Sequence, residues 1–169
     1  MEGEAIENAW YATRYRSLPP VAEEQLRLAS LAYADDARAE MHLALAKAVS
    51  PDNPVVQVGE YRYYFYKGRL NEALRVAEGC LVKVAAELHL PARWQDVAPL
   101  HAGFDNEEPA HRFYLFCLKA LAYLLLRLNR LAEGGMAVEK LMELDPGNKV
   151  GGQVLRDVLE RIGRDDYDD

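Results

Sequence analysis

FYLFCLKALAYLLLRLNRLAEGGMAVEKLMELDPGN, residues 113–148, decides the fold. Leu118, Leu121, Ala122 and Leu125 recur at three- and four-residue spacing, which lines one face of a helix. Leu131, Gly134, Val138, Leu141 and Leu144 repeat the pattern on a second helix. Between the two, Asn129 is a residue type that ends helices in the left-handed conformation. Asp145-Pro146-Gly147-Asn148 then forms a proline-containing stop. The stretch predicts two amphipathic helices joined by a tight turn, with small residues where the helices come closest.

Working outward, weaker versions of the same unit precede it. Residues 55–88 hold a second helix pair, whose turn, KGRLNEAL at 67–74, carries Gly68 to end the first helix and Ala73 to let the second approach. Its first helix is irregular, with Gln57, Glu60 and Tyr61 where bulky or small apolar residues are expected, and Gly59 offers an alternative close contact. Residues 21–54 hold another pair, turned at Asp35-Asp36 and stopped at Ser50-Pro51-Asp52-Asn53-Pro54. Residues 4–16 predict a short helix, with Trp10, Tyr11 and Tyr15, that caps the first pair. Residues 89–110 interrupt the array as an inserted loop anchored by Trp94, Leu100 and Phe104, after which Asn106 caps the next helix. Residues 149–163 form a final amphipathic helix with a polar outer face, as an array end requires, and 164–169 are an acidic tail.

The chain is therefore read as all-α, with an N-terminal capping helix at 1–20 and a repeat domain at 21–163. Its 169 residues are enough for one elongated core. Net charge is −7, but Asp165, Asp166, Asp168 and Asp169 cluster in the tail, and without them acids and bases come close to balance. A balanced body with an acidic tail argues against a nucleic-acid surface. The longest apolar run, 120–126, is about a third of the roughly 20 residues needed to span a bilayer, and the N-terminus lacks a signal-peptide core. Cys80 and Cys117 sit within helical patterns and read as buried free thiols of a cytoplasmic protein.

The pattern resembles the tetratricopeptide repeat family over about 21–163. One copy carries Leu118, Leu121-Ala122, Leu125, Leu131, Gly134, Val138 and Pro146. Another carries Tyr64, Gly68, Leu70, Ala73, Ala77 and Cys80. Leu141 departs from the family's usual alanine. The resemblance implies a helix-turn-helix solenoid of about three repeats in which the first helix of each pair lines a groove. The whole chain also resembles small repeat proteins encoded among bacterial nitrogen-fixation genes.

Projected onto that pattern, the groove residues include Arg62, Phe65 and Tyr66 of the second pair, then Lys119, Tyr123 and Arg127 of the third. The run YRYYFYK at 61–67 is the most unusual stretch, because aromatic and arginine side chains are the favoured anchors of protein interfaces. The expected partner-binding set is Arg62, Tyr63, Phe65, Tyr66, Lys119, Tyr123 and Arg127, with Trp94 of the inserted loop as a second contact. The expected function is a non-catalytic adaptor or assembly chaperone binding one protein partner. Following the resemblance, it would be an accessory factor for nitrogenase or another multi-subunit enzyme. A self-associating scaffold is the alternative. His101, Asp105, Glu107, Glu108 and His111 could be drawn as an oxygen/nitrogen metal set, but no compact histidine or cysteine pair supports it. The chain carries no phosphate loop, nucleophile elbow or cysteine beside a histidine. No metal, cofactor or catalysis is expected.

Overall fold

The computed structural model describes residues 9–101, 104 and 108–165. Among them are eight α-helices, one short 3-10 turn and no strand: α1 (Ala9–Arg16), α2 (Pro20–Leu31), α3 (Asp36–Val49), α4 (Pro54–Tyr66), α5 (Leu70–Glu87), the turn Trp94–Asp96, α6 (Pro109–Arg127), α7 (Leu131–Leu144) and α8 (Gln153–Asp165). The protein is all-α. The chain divides into two compact units, Met1–Val76 and Ala77–Asp169, with the division inside α5. No helix among the described residues is long and apolar enough to cross a membrane.

Local chemistry sets the helix ends. Gly68 (φ +71°) and Asn129 (φ +58°) both take the left-handed conformation their positions predict. The amides that follow reach back, Arg69 N to Tyr64 O at 2.9 Å and Arg130 N to Leu125 O at 2.9 Å, so orphan carbonyls of α4 and α6 are satisfied. His89 (φ +57°) ends α5 the same way, with Leu90 N on Ala85 O at 2.8 Å. The Asp35 carboxylate caps α3 by accepting from Arg38 N at 3.2 Å, and Asn53 caps α4 by accepting from Val55 N at 2.9 Å. Pro54 and Pro109 occupy first turns, where their missing N–H costs nothing.

In the first unit, α2 and α3 pack on each other across a short turn, and α4 packs on both. Their shared core is Ala29, Ala39, Leu43 and Tyr63. Gly59 supplies the close contact its position suggests: a Cβ there would stand 3.1 Å from Leu26 Cδ2 of α2. The polar departures on α4, Gln57 and Glu60, are buried, and Glu60 faces Lys47 at 3.7 Å. The N-terminal helix differs from its expected place on the first pair. α1 packs chiefly on α4, buries Tyr11 and accepts the Asn53 amide at the Arg14 carbonyl (3.1 Å), while Tyr15 donates to Glu23 of α2.

In the second unit α6 is the central helix. Phe113, Tyr114, Leu118, Leu121, Leu124 and Leu125 are fully buried on it, and the phenylalanine and the leucines each contribute about 1.5–3 kcal/mol by area removed from water. Apolar residues on every side make such a helix interior to its unit. α7 packs along it and α8 packs on α7. Their link is organised by Asp145, whose buried carboxylate accepts from Lys149 N and Val150 N, both at 3.0 Å. In the inserted segment, Val97 and Phe104 are the buried anchors, whereas Leu100 is 84% exposed, a correction to its expected role. Glu108, not Asn106, directly precedes the first turn of α6; Asn106 lies outside the described residues.

Candidate functional site

The tyrosine-rich run lies on the last two turns of α4, and helical phase splits it. Tyr63 points inward. Its hydroxyl donates to Asp36 at 3.2 Å, and its ring meets Tyr33 edge-on at 6.2 Å and Tyr64 at 5.3 Å. Burial first, and then the charges of Glu40 and Asp36, push the Tyr63 hydroxyl up to about 12. The Lys67 ammonium lies 2.8 Å from Asp36 and 4.1 Å from the Tyr33 ring centroid, which holds the Asp36 carboxyl below its usual range. Arg69 closes the end of the helix against Glu40 at 2.7 Å and Glu72 at 3.2 Å. Tyr66, three residues past Tyr63, is 60% exposed.

Between α2, α3 and α4 this arrangement leaves a cavity of about 310 Å³. Leu26, Ala29 and Leu43 make its floor, and Tyr33, Tyr63 and Tyr66 its aromatic wall. Among the described residues, Arg62 is the one charged residue that lines it. The Arg62 Nε is buried and has no hydrogen-bond partner among the described residues. A buried guanidinium nitrogen without an acceptor is costly. Arg62 also lies close to Tyr11, whose hydroxyl is raised by burial and lowered in part by the arginine's charge.

Three of the expected partner-binding residues, Arg62, Tyr63 and Tyr66, thus meet in one cavity, with Tyr63 largely committed to the fold. Phe65 stacks on Tyr61 at 5.8 Å and meets Tyr66 edge-on. In the second unit Lys119 is not a surface contact. Its side chain is buried and its ammonium donates to the Val150 carbonyl at 2.7 Å, because the turn after Asp145 folds over it. Tyr123 and Arg127, one turn apart on α6, pair with each other: Arg127 Nη1 donates to the Tyr123 hydroxyl at 2.7 Å, and Arg127 remains exposed. Trp94 is half-buried at a separate cleft of about 450 Å³ beside Met136, Lys140 and Leu159. Sequence reasoning missed Tyr33. Its spacing placed it on an apolar packing face with Leu26, Ala29 and Ala32, not in a groove.

Of the drawn metal set, His101 turns Nδ1 back onto the Ala98 amide at 2.9 Å. Asp105 and Glu107 lie outside the described residues. No group of three or more His, Cys, Asp or Glu side chains arranged to hold a metal ion occurs among the described residues.

Comparison with known proteins then places the chain. A protein of Azotobacter chroococcum mcd 1, described as "Uncharacterized 19.8 kDa protein in nifW 5'region", is 40% identical over 123 residues, which make up 72% of this chain and 69% of that protein. The chain belongs to that protein's family. No protein-family model matches it, and no solved structure matches at a significant level.

Proposed function

We propose that this chain is a non-catalytic, tetratricopeptide-like adaptor of the cytoplasm that captures one protein partner, and that the partner belongs to the nitrogen-fixation machinery. Nitrogenase, or a factor in the assembly of its subunits, is the concrete candidate. The relative's place in the nifW 5' region supports the second half of this reading. Helix spacing supports the repeat: α2 and α3 begin at Pro20 and Asp36, and α4 and α5 begin 34 residues later at Pro54 and Leu70. That is the tetratricopeptide period. The third pair follows the same turn chemistry but starts with a longer helix.

The observation that carries the binding role is the cavity walled by Tyr33, Tyr63 and Tyr66, with Arg62 as a charged lining residue. It has room for one bulky side chain, and Arg62 and Tyr66 stand where the partner's backbone or a carboxylate would pass. Interfaces draw most of their energy from a few such aromatic and arginine anchors. The test is capture of partners from a nitrogen-fixing host with wild type and with Arg62→Gln/Tyr66→Ala, identified by mass spectrometry. Partners lost by a double variant that keeps its helical circular dichroism support the reading. An unchanged partner set overturns the assignment of this cavity.

A second reading has its own observation. Met41, Leu45 and Val49, four residues apart on α3, form an apolar stripe of 44–49% exposure. It suits a self-associating scaffold. Light scattering distinguishes the two: an oligomer dispersed by Leu45→Glu favours the scaffold, and a wild-type monomer removes it.

A further inference from the structure

The chain has two cysteines, and the fold brings them together. Cys80 on α5 and Cys117 on α6, 37 residues apart in sequence and both within the second unit, place their sulfurs 3.5 Å apart. Both are free thiols in the described state; Cys80 is buried and Cys117 half-buried. A disulfide has an S–S length of about 2.05 Å, so the two sulfurs have about 1.5 Å to close. Cysteine packs well as a small hydrophobe, yet packing alone gives no reason for the chain's two thiols to touch each other rather than leucine or alanine.

We infer that Cys80 and Cys117 are a dithiol site that a peroxide oxidises to an intramolecular disulfide. The Cys117 thiol is pushed up by its hydrogen bond to Cys80 and by burial, and the chemistry balances identically whichever sulfur reacts first, Cys80 for example. The Cys80 thiolate attacks one oxygen of hydrogen peroxide. The O–O bond breaks, hydroxide leaves and takes a proton as water, and Cys80 becomes a sulfenic acid. Cys117 then attacks the Cys80 sulfur, the S–O bond breaks, and the departing hydroxide takes the Cys117 proton as a second water. Two thiols have lost two electrons and two protons, and one peroxide has become two waters. With the second sulfur already in contact, the sulfenic acid is trapped before further oxidation. The bond would tie α5 to α6 and enclose the inserted segment with Trp94 in a covalent loop.

The test uses the full reduced chain treated with hydrogen peroxide, then denatured, alkylated with N-ethylmaleimide and weighed intact. The expected product is monomeric, two hydrogen atoms lighter than the reduced chain and unalkylated, and dithiothreitol restores two alkylatable thiols. Cys80→Ser and Cys117→Ser, each lacking a partner sulfur, are expected to add oxygen or remain alkylatable instead. Wild type that still takes two alkyl groups, gains sulfinic acid at both cysteines, or forms covalent dimers overturns the inference.

Discussion

Replacing Gly134 and Gly79 by alanine makes one chemical change with two opposite consequences. Both glycines lie inside helices of the second unit, Gly79 on α5 and Gly134 on α7. A Cβ at Gly79 meets nothing within 4 Å, so Gly79→Ala keeps the helix-propensity gain of about 1 kcal/mol. A Cβ at Gly134 would stand 2.7 Å from Leu126 Cδ2, 3.2 Å from Leu126 Cγ and 3.3 Å from the Leu126 backbone nitrogen. The side chain can swing aside, but the backbone contact requires α6 and α7 to separate. Overpacking of this kind costs about 1–3 kcal/mol, which outweighs the propensity gain and leaves Gly134→Ala destabilised by about 1 kcal/mol. The two variants should therefore differ by about 2 kcal/mol. With a urea dependence of about 1–3 kcal/mol per molar, their midpoints by far-ultraviolet circular dichroism separate by about 1 M. If Gly134→Ala proves as stable as Gly79→Ala, the close crossing of α6 and α7 at Leu126 is wrong.

Lys119→Ala should cost about 2–3 kcal/mol in urea, since it leaves the buried Val150 carbonyl without its donor; weaker partner capture at unchanged stability would return Lys119 to a surface role. Asp145→Asn puts an amide where a carboxylate accepts two backbone N–H groups, and the same urea assay should show a loss of about 1.5–3 kcal/mol, with wild-type stability contradicting the capped turn. The Tyr63 pKa is raised from 10 in the folded protein, so its contribution of about 2–3 kcal/mol is complete below pH 10 and is lost as pH rises through about 12. Ultraviolet titration of Tyr63→Phe should lack the component ionising near pH 12, and an unchanged curve would remove the buried assignment. Peroxide-oxidised protein should melt higher than reduced protein, because closing the loop between Cys80 and Cys117 stabilises by about 4 kcal/mol in the chain-entropy model; equal or lower melting would indicate a strained bond.

The legible parts of this protein are those whose causes are local. Gly68 and Asn129 end helices through the conformation of one residue, so neighbours in sequence suffice to read them; Asn53-Pro54 read as a stop, and in the structure it also starts α4 through a side-chain acceptor and a preset φ. The apolar periodicity of α6 and α7 was equally plain, and Gly134 was already recognisable as a packing position. The candidate site was legible only as a composition. Seven residues from 61 to 67 announced aromatic and basic chemistry, but which tyrosine faced inward depended on the register of an irregular helix with buried Gln57 and Glu60. Leu100 illustrates the same limit in the inserted segment, where no period exists to tell an anchor from an exposed leucine.

Sequence alone determined the helical class, the turns, and the presence of an arginine among tyrosines, because each follows from short-range propensity and spacing. Tertiary structure decided which of those groups remain available. Lys119 and Arg127 lie two turns apart on one helix, yet the turn after Asp145 folds over the first and leaves the second exposed. Tyr33 reaches the cavity because α2 and α4 pack side by side, and Cys80 meets Cys117 across 37 residues. Burial and partnership are set by segments distant in sequence, and local periodicity places a residue on a helix face without saying what covers that face.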